Sequence, residues 1–137
     1  MLKRVIGLLG IAWFVGPAAV AQQGIDPALI ERGQLLYEIN CVLCHKESGE
    51  GGVPMFPALD GNEQLVDALR IVASISQGSG VMPSFPDLTV EDITALANYI
   101  RNAWTNDFGV VSTDEVAASL EGLQLAGQAI SVWDGVF

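Results

Sequence analysis

Four stretches of this chain repeat apolar residues at helical spacing, and two others carry no period at all. The first helix is predicted over 27–40, where Leu29, Ile30, Leu36, Tyr37 and Ile39 recur with Glu31, Arg32, Gln34 and Glu38 between them. Asp26-Pro27 supplies a capping carboxylate and a proline at the first helical position. A second helix is expected from Asn62 through Leu65, Val66, Leu69, Ile71 and Val72. The clearest one opens at Thr89, with Asp92 three residues on in a capping-box pattern. It runs to about Trp104 and aligns Ile93, Leu96, Ala97 and Ile100 on one face. A last helix starts at Ser112 or Thr113 and fades near Leu125. Strand alternation is nowhere sustained. The unpatterned stretches, 46–61 and 77–88, are broken by Gly49, Gly51, Gly52, Pro54 and Pro57 in one and by Gly78, Gly80, Pro83 and Pro86 in the other. The pattern predicts a small all-α domain with long Gly/Pro-rich loops. Structureless loops beyond about 12 residues are uncommon in compact domains, so these two need something apolar to fold around.

The amino terminus follows a different order. Lys3 and Arg4 precede an apolar run from Val5 to Val15, Gly16-Pro17 interrupts it, and Ala19-Val20-Ala21 stands before the polar Gln22. That is the order of a secretory signal peptide, which places the protein in the periplasm. The expected division is a signal peptide over 1–21, a domain over 22–108 and a helical extension over 109–137. A retained anchor, the one route to membrane attachment, is the competing reading, since Val5 to Ala21 reaches only the short end of the spanning range. Acidic residues number 16 against 6 Lys and Arg, a formal charge of −10, which excludes a nucleic acid partner. Beyond Ala21 the fixed positive side chains are Arg32, Lys46, Arg70 and Arg101. A partner contact is therefore expected to be mostly apolar, through Val53, Phe56, Val81 or the carboxy-terminal tail, or else acidic against a basic surface.

One histidine and two cysteines leave room for a single centre, and they lie together as Cys41-Val42-Leu43-Cys44-His45. C-x-x-C-H is the attachment signature of c-type haem: two intervening residues bring both sulfurs to one side of a turn, and the next residue projects towards the iron. A zinc site would need a fourth ligand that the chain does not place there. A redox dithiol is the nearer rival, although it expects a βαβ setting and leaves His45 without a role. For the other face of the iron the mature chain offers Met82 and Met55. Met55 stands ten residues after His45, a short reach, whereas Met82-Pro83 lies in the later loop, and Met82 is the expected axial ligand. Arg70 is placed either on a haem propionate or on a solvated helix face.

From Ala28 to Trp104 the chain resembles class I c-type cytochromes. The resemblance rests on Gly33 and Tyr37 ahead of CVLCH, then GGVPMFPALDGN, MPSF, and the helix DITALANYIRNAW. It implies a small helical domain wrapped around one covalent haem, with Gly33 allowing close approach near Tyr99. It further implies that the Pro54 carbonyl accepts the Nδ1–H of His45 and that Met82 is the distal ligand. Lys46 stands where the family commonly has glycine, so a different backbone is expected there. LRIV and YIRNAWTN are similar to the cytochrome subunits of bacterial periplasmic dehydrogenases, quinoprotein alcohol dehydrogenases among them.

The function expected is single-electron transfer with no bond chemistry on a substrate. Electrons would come from a periplasmic dehydrogenase and pass to a downstream cytochrome or terminal oxidase. A haem peroxidase or gas-binding protein would need an open sixth position, and for peroxidase a distal base, which Met82 and the single histidine do not leave. A non-diffusing subunit of a dehydrogenase complex would differ from a soluble shuttle in assembly alone. The apolar residues after Trp104 either pack back on the domain or form such a partner's docking surface.

Overall fold

Asp26 accepts a hydrogen bond from the Ala28 amide at 2.9 Å and starts α1 (Pro27–Asn40) with Pro27 in its first turn. The computed structural model describes residues 25–134, with side chains described as far as 128. The predicted signal segment therefore lies outside the described residues. The described residues form five α-helices in order: α1, the short α2 (Val42–His45), α3 (Ala68–Gln77), α4 (Val90–Asn102) and α5 (Thr113–Asp134), with a 3-10 turn at Glu63–Val66. Among the described residues there is no strand, only isolated bridges at Gly52–Phe56 and Ser79–Met82. None of their helices is long and apolar enough to cross a membrane.

The α1–α4 crossing organises the rest. A Cβ at Gly33 would overlap the Ala95 carbonyl and lie 2.6 Å from the Tyr99 Cβ, so only glycine permits this approach. One turn on, the buried Tyr37 ring meets Tyr99 at 5.5 Å and Trp104 at 5.3 Å between centroids. Such aromatic pairs contribute about 1 kcal/mol each beyond the area they bury. Thr89 and Asp92 form the anticipated capping box at the start of α4. Asp92 has a second duty: its Oδ1 accepts from Arg32 Nε and Nη2 at 3.0 and 2.7 Å, which ties α1 to the α4 cap. The Arg32 guanidinium, and after it the Thr89 bonds, hold the Asp92 carboxyl below the usual carboxylate range.

The helix expected from Asn62 to Val72 is two pieces. Asn62 Oδ1 accepts from the Gln64 amide and starts the 3-10 turn; Asp67 then leaves helical geometry and caps α3 through the Leu69 amide at 3.0 Å. Two capping side chains five residues apart each offer the backbone an alternative to one continuous helix. Past the break, α3 buries Ile71, Val72 and Ile75.

Arg101, counted from sequence among the positive side chains, is buried rather than displayed. Its Nη1 donates to the Leu65 and Val66 carbonyls at 2.6 and 2.7 Å, its Nε to the Gly109 carbonyl at 3.2 Å and its Nη2 to that of Phe108. The guanidinium thus joins the end of the 3-10 turn to the segment before α5. Nearby, Asn98 donates to the Val111 carbonyl and accepts from the Val111 amide, at 2.8 and 2.9 Å. Ser112 and Glu115 cap α5 reciprocally. Val111 and Val116 belong to the same buried cluster as Tyr37, Ile71 and Leu96, with Leu120 and Leu123 against it. Beyond them Leu125 is exposed.

Replacing Arg101 with leucine strands several carbonyls together, each of which costs about 1–3 kcal/mol when left unmade in the interior. Arg101→Leu is expected to lower unfolding stability by about 3 kcal/mol or more, read as a lower urea midpoint with unchanged slope.

Candidate functional site

Cys41, Cys44 and His45 sit where α1 gives way to α2. The Cys41 carbonyl accepts from the amides of both Cys44 and His45, at 3.1 and 2.9 Å, which winds the three residues into one turn. Both thiols are free. Burial, and then the neighbouring Cys44, pushes the Cys41 thiol up to about 12. A dithiol redox centre needs its attacking cysteine exposed and acidic, so this environment argues against that reading. Among the described residues no three His, Cys, Asp or Glu side chains are gathered as the ligands of a metal ion would be.

His45 is 8% exposed, and its Nδ1 lies 3.0 Å from the Pro57 carbonyl. A carbonyl only accepts, so Nδ1 carries the proton, and in the neutral ring Nε2 keeps its lone pair. Among the described residues His45 makes no other side-chain hydrogen bond. This corrects the expectation for Pro54. The Gly52 and Phe56 amides each donate to the other's carbonyl at 2.8 Å, closing a tight turn with Pro54 in its exposed segment. Pro57 follows that turn and returns towards His45. Gly51 makes the return possible: its φ is +68°, and a Cβ there would stand 2.7 Å from the Pro57 oxygen. Its amide also donates to the His45 carbonyl at 3.0 Å.

The residue after the histidine also departs from expectation. Lys46 keeps a backbone of the kind that favours glycine, with φ +66° and ψ 162°. The Tyr37 hydroxyl donates to its carbonyl at 2.7 Å, so the helix crossing holds this peptide in place.

Met82 and Met55 occupy turns of different character. Ser79 and Met82 exchange two backbone hydrogen bonds of 3.0 Å, and the Phe85 amide ties the loop to the Ile75 carbonyl of α3. Met82 is half-buried and packs on the core, whereas Met55 is 57% exposed. Tyr99 lies in the aromatic cluster of the α1–α4 crossing, with its hydroxyl pKa raised mainly by burial. Arg70 is exposed on α3 and makes no hydrogen bond or ion pair with another described residue. Sequence reasoning missed Pro57 and Gly51; the proline-glycine density of GGVPMFPALDG signalled a shaped loop without saying which carbonyl it would present.

The donor set fits a haem: two free thiols with two residues between them, then an imidazole held through Nδ1 with Nε2 left for iron. A lysine in left-handed backbone stores about 1–2 kcal/mol that glycine would not. Lys46→Gly is therefore expected to raise stability by about 1 kcal/mol, measured by chemical denaturation.

Residues 28–100 match the family described as cytochrome c oxidase, cbb3-type, subunit III. The cytochrome c subunit of the cytochrome bc1 complex of Corynebacterium diphtheriae is 35% identical over 89 residues, covering 60% of this chain and 30% of that protein. The cytochrome c subunit of a quinone alcohol dehydrogenase of Gluconobacter oxydans is 28% identical over 114 residues, 72% of this chain and 23% of that protein. Cytochrome c6 of Cyanidioschyzon merolae is 30% identical over 82 residues, 57% of this chain and 78% of that protein. The chain thus spans less than a third of the two subunits and about three quarters of the cytochrome c6. With an all-α fold built on the Gly33 crossing and a CVLCH site whose imidazole is held on the Pro57 carbonyl, the chain belongs to the cytochrome c family, matching its group described as cbb3-type oxidase subunit III.

Proposed function

We propose that this protein is an exported, periplasmic single-electron carrier with one haem c, bonded through Cys41 and Cys44 and ligated by His45 and Met82. The observation that carries the reading is the His45 imidazole, pinned by Nδ1 to the Pro57 carbonyl in the same turn as two free thiols. The haem supplies one reversible ferric–ferrous electron. The protein's part is to hold and shield it. Pro57 fixes the ring and raises the basicity of Nε2. Met82, on the core side of a loop closed by Ser79, supports thioether ligation, which raises the potential relative to a second imidazole. The exposed position of Met55 supports no such role.

The donor we propose is a periplasmic dehydrogenase of the quinone-dependent alcohol type, and the acceptor a downstream cytochrome or terminal oxidase. The relatives' names support this pairing. Leu43, between the two cysteines, is 88% exposed, and Val53 and Val81 are also exposed. These side chains favour a contact that is apolar at its centre.

Expressed with a c-haem maturation system, the chain is expected to keep one haem through denaturing electrophoresis and to show the corresponding mass. A polypeptide without that added mass sinks the proposal. Met82→Ala is expected to abolish the weak near-infrared sulfur-to-iron band of the oxidised protein and to lower the potential. Met55→Ala should change neither; the reverse result would transfer the ligand role to Met55.

A further inference from the structure

The loop from Lys46 to Gly61 presents the carbonyl that orients His45; the Gly52–Phe56 pair shapes its tip, and the placing of its two limbs is shared with residues outside it. Its two limbs are joined at Gly49, whose carbonyl accepts from the Leu59 and Asp60 amides at 2.7 and 3.1 Å. Three consecutive residues after α4 grip those same limbs. Trp104, in left-handed backbone with φ +56°, donates Nε1–H to the Glu47 carbonyl at 2.9 Å. Its ring lies so close over Gly49 that a Cβ there would stand 2.7 Å from it. Thr105 donates to Asp60 Oδ1 from both its amide and its hydroxyl. Asn106 donates to the Leu59 carbonyl at 2.9 Å and accepts from the Gly61 amide at 2.8 Å.

We propose that Trp104, Thr105 and Asn106 are positioning residues for the His45 imidazole, clamping both limbs of the loop whose Pro57 carbonyl accepts its Nδ1–H. The inference rests on the reading of His45 as an axial ligand. Its physical basis is leverage. Pro57 sits two residues before Leu59 and three before Asp60, so freedom at those residues becomes freedom of the accepting oxygen. The first limb runs from His45 itself, and the indole fixes it two residues on, at Glu47. With both limbs held, the distance from Nδ1 to the Pro57 oxygen is set by α4, which the Gly33 crossing in turn holds against α1. A looser clamp lengthens the hydrogen bond from Nδ1–H to the Pro57 oxygen, lowers the basicity of Nε2, stabilises the ferric ion less and raises the potential.

The test uses the haem-loaded protein. Trp104→Phe removes the indole N–H together with the part of the ring that covers Gly49, and so releases the first limb; Thr105→Val removes only the hydroxyl. In the doubly substituted protein, exchange of the His45 Nδ1–H, followed by nitrogen-15 NMR in the ferrous state, is expected to quicken about tenfold or more. The reduction potential should rise with it, while Thr105→Ser behaves as wild type. An unchanged Nδ1–H exchange rate and potential in the folded double variant would overturn the clamp. So would a uniform acceleration of all slow amides with no shift in potential, since that marks general destabilisation. If the double variant does not fold, Trp104→Phe alone is read by the same criteria. A wild-type protein without histidine-ligated haem refutes the underlying function instead.

Discussion

At Gly33 the α1 backbone rests directly on the α4 backbone, a contact with no space for a methyl group. Everything that shapes the site is measured from it. Tyr37, one turn further on, stacks its ring into the crossing and turns its hydroxyl onto the Lys46 carbonyl, past the end of the CVLCH turn. Trp104, just past the far end of α4, closes the aromatic cluster and reaches the Glu47 carbonyl. A single close approach between two helices thus sets the peptides on the carboxyl side of His45. Interiors pack too densely for such a crossing to slide, so that setting is rigid.

A second layer is polar. Asn98, Arg101 and Asn106 are buried, and main-chain groups answer all three. A buried cation commonly has a carboxylate beside it; here carbonyls of the 3-10 turn and of the segment before α5 surround the guanidinium. Desolvation lowers the Arg101 pKa, against smaller opposing effects of Asp67 and Glu115, yet a guanidinium stays charged in such surroundings. These side chains serve irregular backbone that has few partners of its own. No buried side-chain nitrogen or oxygen lacks a hydrogen bond among the described residues. Long loops in a small helical domain need this, since an unpaired interior carbonyl costs as much as a good contact gains.

The site combines rigid support with local strain. Lys46 and Trp104 both hold positive φ without being glycine, and both flank the histidine's loop. Conformations of this kind persist where surrounding contacts over-determine them. Here the contacts can be named: the Tyr37 hydroxyl on one, and on the other the Glu47 carbonyl with Gly49 beneath the ring. On the proposed reading, an electron carrier benefits from ligands that stay put between oxidation states, and the Pro57 bond, with the glycine that admits it, would be a local means to that end.

Local chemistry alone determined the helices that carry their own start signals. Asp26-Pro27 and Thr89 with Asp92 set α1 and α4, and CVLCH marked the candidate site, because capping and ligand spacing act over three or four residues. Asn62 is legible as a cap, but Asp67 five residues later competes with it for the backbone, so two pieces form where the pattern predicts one helix. The tertiary structure alone decided that Pro57 and not Pro54 meets His45, since a two-amide turn and a missing Cβ at Gly51 settle which carbonyl returns. It also decided that Arg101 is an internal brace and not a surface charge, through carbonyls 7 to 36 residues away in sequence. Hydrogen bonds over such separations leave no periodic trace in a chain, because nothing in the residues between them needs to repeat.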